Sequence, residues 1–364
     1  MSSSPFSCER LEQRQLLSGA VGASAASAAA NAYTQTNLVS DGTISAAFTD
    51  KNLVNPWGVA FNTRAGVVWV GDNATSVSTV YRPDGSSTGL VVAIPHGSAS
   101  TASAPTGVRF NRTGSFQISN GTTTAPAVFL FASEDGTISA WNPTVDPTNA
   151  KLVVDNSASN AIYKGLDIGN FNGNNYIYAA NFHAGTIDVF KSDFTKATLP
   201  GSFTDPNLPA GFAPFNIQNI NGQLYVTYAK QDPNKEDDVP GVGLGFVDVF
   251  NTDGTFVRRF ASGGNLNAPW AITTVPGHFG RFGGDILVGN FGDGRINVFS
   301  PGGRFLTQLH DSSDKPITID GLWGLAFQPT ATTVGTTRVD TLFFASGPND
   351  EMHGLFGTLR PITM

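Results

Sequence analysis

Read as apolar and polar positions, the chain is a series of short alternating runs separated by breaks rich in glycine, proline and asparagine. The stretch from Ala268 to Gly303 contains one complete unit. Pro269-Trp270 opens an apolar segment that reaches Val275, and a glycine-rich turn follows. Asp285-Ile-Leu-Val-Gly then runs into the tight turn Asn290-Phe-Gly-Asp-Gly. Arg295-Ile-Asn-Val-Phe alternates polar and apolar, as a half-buried strand does, and stops at Ser300-Pro-Gly-Gly. With a fourth run, Phe305-Leu-Thr-Gln-Leu, this predicts a four-stranded antiparallel meander, which cannot bury both its faces alone.

The unit occurs six times. Its first strand is WGVAF (57–61), TGVRF (106–110), KGLDI (164–168), FNIQN (215–219), WAITT (270–274) and WGLAF (323–327); the second residues lie 49, 58, 51, 55 and 53 positions apart. Second and third strands follow in register, for example VWVGDN (68–73) with STVYRPDG (78–85), and YIYAANF (176–182) with GTIDVFK (185–191). Three sub-patterns kept in order through six repeats predict an all-β chain: a six-bladed β-propeller of four-stranded antiparallel blades around a channel. Blades start near residues 55, 104, 162, 213, 268 and 321 of a domain spanning 33–364. Blades one to five have material for an outer fourth strand, such as Leu90-Val-Val-Ala-Ile, but blade six does not. The spare strand Thr36-Asn-Leu-Val-Ser is expected to complete blade six and lock the ring.

Composition agrees with this fold and narrows the partners. The 364 residues are 40% apolar and 13% charged, enough for a large core, and 41 glycines suit many turns. The net charge of -7 argues against nucleic acid or an anionic membrane. No run approaches the ~18 apolar residues of a membrane span. A monomer is expected. Residues 1–32 fall outside the repeats: arginines near the start, Leu16-Leu17, then small residues up to Ala32 predict an export signal, a disordered tail being the other reading. Cys8, the single cysteine, lies in that segment, so the folded domain holds no disulfide.

Strand direction places the candidate chemistry. The start of a first strand and the end of a second strand share one channel mouth, so the loops between second and third strands surround it. These loops bring Asp72, Asn73, Glu134, Asn181, His183, Lys230, Asn290, Asp293, Asn349, Asp350 and His353 to an acid-rich ring. Trp57, Trp270 and Trp323 stand at the same mouth, either to stack on a ligand or to pack between blades. Short polar residues ending a second strand commonly serve turn backbone instead of a ligand. The two histidines lack zinc-site spacing. The insert KQDPNKEDDV (230–239) is the densest candidate: Asp232, Asn234, Glu236, Asp237 and Asp238 offer hard oxygens suited to Ca²⁺, without the turn glycine and bidentate glutamate of an EF-hand. A solvated acidic loop is the plainer reading of the same residues.

Several longer stretches carry a resemblance. Asn55-Pro-Trp-Gly-Val-Ala, AKQDPNKEDDVPG (229–241), Gly245-Phe-Val-Asp-Val-Phe and SGPNDEMHGLFG (346–357) resemble a family of exported bacterial propellers described as conserved hypothetical proteins, some from bacteria with PEP-CTERM sorting systems. The match covers Thr36 onward. It implies the fold and an exported location, extracellular or periplasmic, but no activity and no catalytic residues. More distantly the repeats are similar to NHL and gluconolactonase-type propellers, and Leu11-Glu-Gln-Arg-Gln-Leu-Leu-Ser resembles a planctomycete-type export motif. Two functional classes stay open. One is a secreted binding or scaffold module that presents the acid-rich face to a protein or surface glycan. The other is a metal-dependent hydrolase of the lactonase kind, with Ca²⁺ held by Asp72, Glu134, Asn181 and Asn290, and Asp167 as general base. Convergence of those oxygens on one point separates the two.

Overall fold

The computed structural model describes residues 32–334 and 337–362, together with Met1. Most of the expected export segment, with Cys8 and the 11–18 motif, lies outside the described residues. First strands are Pro56–Asn62, Pro105–Phe110, Tyr163–Phe171, Phe212–Ile220, Pro269–Thr274 and Leu322–Phe327. Each pairs antiparallel with a second strand: Val67–Asp72, Phe129–Ser133, Asn174–Asn181, Gln223–Lys230, Ile286–Asn290 or Leu342–Ser346. Third strands lie beyond these in every blade. First strands touch in cyclic order, and that of blade six returns to that of blade one. The architecture is therefore a closed six-bladed propeller.

Blade six is completed by the N-terminal strand. Tyr33–Ser40 pairs antiparallel with Leu355–Pro361, from Tyr33 opposite Pro361 to Ser40 opposite Leu355, and Phe48–Thr49 adds a short parallel strand outside it. Blade three departs from the four-strand expectation. Its sheet has three strands and an outer bridge at Phe190 and Lys196 only. The chain there is drawn away by blade four: the Gly201 amide donates to the Asp253 carbonyl and the Phe203 amide to that of Gly254.

Aromatic and β-branched side chains fill the gaps between blades. Trp69 of blade one, for example, packs on Phe129 (centroids 4.1 Å apart) and Trp141 (4.7 Å) of blade two. The channel wall shows the feature that positions the site. Every first strand shifts register near its entry, so that one extra residue faces the second strand. The extra residue falls in the stretch containing Trp57, Thr106, Lys164, Phe215, Trp270 or Trp323. A β-bulge of this kind re-aims a side chain, here toward the axis. The residue after each is small in most blades. A Cβ on Gly58 would stand 2.4 Å from the Thr106 carbonyl oxygen, and one on Gly324 2.3 Å from that of Trp57. Glycine at four of the six entries lets neighbouring blades crowd together.

Candidate functional site at the acid-rich mouth

The bulged side chains close the channel with an aromatic plug. Trp57 and Trp323 stack at 3.4 Å, Phe291 lies on the other side of Trp323 at 3.9 Å, and Trp270 meets both tryptophans edge-on. All three tryptophans are buried. They are floor, and a ligand at the mouth would not slide between them. The Trp270 indole donates to the Lys164 carbonyl (2.9 Å) and that of Trp323 to Glu351 Oε1 (3.1 Å); the Trp57 indole nitrogen is buried without a partner.

On this floor sits Lys164, 1% exposed. Its Nζ donates to Glu134 Oε1 (2.5 Å) and Asp237 Oδ1 (3.0 Å), and stands 5.2 Å from the Trp57 ring and 5.8 Å from that of Phe182. Burial alone would lower the ammonium pKa, but the Glu134 and Asp237 carboxylates outweigh it and hold the pKa above the ordinary lysine value. Lys164 is thus a fixed cation and not a base. Glu134 Oε2 accepts from Asn73 Nδ2 (2.7 Å), and Asn73 in turn accepts from Asn55. Two further carboxyls complete the cluster. Burial pushes Asp238 up to about 7, opposed by Lys164 and reinforced by Glu351 and Asp237. Burial likewise pushes Glu351 up to about 7, with Glu134 adding to it. One Asp238 oxygen, Oδ2, is buried without a partner.

Glu351 is carried on a run of left-handed backbone. Asn349, Asp350 and Glu351 all have left-handed backbones (φ 55°, 51° and 63°). Such residues cost about 1–3 kcal/mol each and persist where their surroundings fix them.

The other candidates divide by position. Asp237 and Asp238 join Glu134 at the centre, whereas Asp232 accepts the Glu236 and Asp237 amides within its own turn, and Asn234 and Glu236 are exposed. Asp72 Oδ2 accepts the Thr79 amide (2.9 Å), and burial holds its carboxyl well above the usual range. Asn181 donates to Asp188, and Asn290 to the Asn265 carbonyl and Asp293. Asp72 and Asn181 serve their own blades, and Asn290 also ties its blade to the loop that leads in from blade four. Lys230, Asn349 and Asp350 are exposed. His183 has a buried Nδ1 without a partner, while the His353 ring contacts Asp41 and Thr43 at the ring closure. Asp167 lies farther along its first strand, below the plug, with Arg109 Nε at 2.6 Å, away from the mouth where a general base was expected. Among the described residues no group of three or more His, Cys, Asp or Glu is arranged to hold a metal ion. Of the four expected Ca²⁺ donors, Asp72, Asn181 and Asn290 are hydrogen-bonded to separate partners, and Glu134 is held by Lys164 and Asn73.

Sequence reasoning missed Lys164, which stood inside the strand KGLDI. Aligning the bulged positions gives Trp, Thr, Lys, Phe, Trp, Trp: one long cation in a largely aromatic ring. That is the signal that could have found it.

Fold and mouth define the class: a six-bladed propeller with a plugged channel and a carboxylate-rich face. No family profile matches the chain. The chain belongs to the family of uncharacterized protein R648 of Acanthamoeba polyphaga mimivirus, to which it is 37% identical over 329 residues, 88% of this chain and 78% of that one. It is also 36% identical over 331 residues to uncharacterized protein L690 of the same virus, covering 88% and 84% of the two chains. These relatives correct the resemblance to an exported bacterial family, because they are viral proteins. Among solved structures, the chain is similar to virginiamycin B lyase from Staphylococcus aureus (TM-score 0.53, 14% identity, 90% of this chain and 99% of that one), a likeness of fold. No helix among the described residues is long and apolar enough to cross a membrane.

Proposed function

We propose that the protein is a binding module whose mouth takes a cationic group, the guanidinium or ammonium of a partner. The observation that carries this reading is the charge balance: Glu134, Asp237, Asp238 and Glu351 surround a single buried lysine. Lys164 already occupies the niche of aromatic rings and carboxylates that a cation seeks. Asp237 and Asp350 remain exposed to receive a second one. This excess of acid favours a basic partner over a neutral glycan. Export of the chain, carried by its N-terminal composition, belongs to the same proposal, and fractionation of the native host material tests it.

The binding test uses the plug tryptophans as reporters. Agmatine is expected to change tryptophan fluorescence saturably and raise the melting temperature, and Asp237→Asn with Asp350→Asn to weaken both. Titration with CaCl₂ that saturates more tightly than agmatine would replace this reading with a metal site. No response to either would sink it. Acid–base hydrolysis is a second reading, favoured by two carboxyls poised at about 7; turnover of a lactone lost in Glu351→Gln would support it.

A further inference from the structure

Beneath the plug the channel continues as a cavity of about 320 Å³, reaching from Trp270 to Arg112, Asn221 and Pro329 beyond the first strands. It therefore lies at the opposite end from the carboxylate cluster. Its chemistry is also opposite. In a chain of net charge -7, the charged residues lining this cavity are Arg109 and Arg112, with no aspartate or glutamate among them.

Asp167 supports the first arginine from behind. It is fully buried, and its Oδ1 lies 2.6 Å from Arg109 Nε. The same carboxylate accepts the amides of Ile168 (2.5 Å) and Asn219 (2.6 Å). It is thus occupied by its own scaffold and serves to orient the guanidinium, whose four Nη hydrogens remain for other acceptors. Arg112 is exposed at the rim, three residues along. Two arginines against one aspartate leave one positive charge. Gln218, Thr273 and Thr274 add polar groups, while Leu166, Ile217 and Phe327 supply apolar wall.

We infer that this cavity is a binding site for a small organic carboxylate, its anionic head taken by Arg109 and Arg112 and its apolar body by the wall. A guanidinium presents a fork matched to a carboxylate. The single residual charge suits a monoanion, and the volume suits a compact ligand.

Calorimetric titration of the full chain with benzoate, and separately with inorganic phosphate, tests the assignment. Benzoate is expected to bind one-to-one. Arg112→Gln, a change at an exposed residue, should weaken it at least tenfold. Ala326→Phe, which fills the cavity at the level of Arg109, should abolish it, with melting temperature recorded to confirm folding. Arg109→Gln is the poorer arbiter because it strands Asp167 without its cation. Absence of saturable benzoate binding by the unaltered chain overturns the proposal. So does benzoate binding that survives Arg112→Gln undiminished, or phosphate binding as tight as benzoate.

Discussion

Lys164 owes its charge to two unequal partners. Glu134 is 25% exposed at its side chain and also held by Asn73, whereas Asp237 is 76% exposed and screened by water. Glu134→Gln is therefore expected to cost about 1–3 kcal/mol, and Asp237→Asn under about 1 kcal/mol, measured by urea unfolding at pH 7. The reverse order would mean that the lysine leans on the insert. Asp238 and Glu351 give a pH signature. Burial raises both carboxyls to about 7 in the folded state, above the ~4 of an unfolded chain. The folded state then holds more protons, and stability falls as pH rises from about 4 toward 7. Because Trp323 donates to Glu351, tryptophan fluorescence should titrate near pH 7. Glu351→Gln should remove the fluorescence titration and only part of the stability slope, since Asp238 is raised chiefly by its own burial; an unchanged fluorescence titration would assign it to another group. Little of this was legible in the sequence. Asp72, Asn181 and Asn290 could be read as turn residues from position alone. The pairing of Glu134 with Lys164 spans blades two and three, and nothing local announces it.

At the scale of the element, the bulge decides what reaches the axis, and the small residue after it decides how closely blades approach. Gly324→Ala would place a Cβ 2.3 Å from backbone of blade one, so a loss of about 1–3 kcal/mol is expected. Gly114→Ala, where the added carbon meets nothing within 4 Å, should stay within about 0.5 kcal/mol. Equal effects in thermal unfolding would show that the entries are less crowded than the geometry indicates. The strands were legible because period-two alternation and turn glycines are local signals. The bulges were not, since an extra residue leaves the apolar run intact. The missing outer strand of blade three was hidden for another reason: Lys196 starts a pairing that Pro200-Gly201 abandons for the turn at Gly254.

For the whole molecule, stability rests on closure. Tyr33 and Val39 are buried within the closing strand, and the Tyr33 hydroxyl donates to the Phe279 carbonyl of blade five. Removing Tyr33–Ser40 would expose the edge of Leu355–Pro361, an invitation to pair with another chain. The truncated protein is expected to aggregate or to lose its single sharp calorimetric transition; a monomer that unfolds as before would show that the ring closes without this strand. The same arrangement sets a timetable for biosynthesis. More than 300 residues separate Ser40 from Leu355, so at 5–20 residues per second the ribosome needs roughly 15–60 s to deliver the partner of the first strand. Throughout that interval a nascent chain with finished blades carries an unpaired edge, and a chaperone that shields it would act before translation ends.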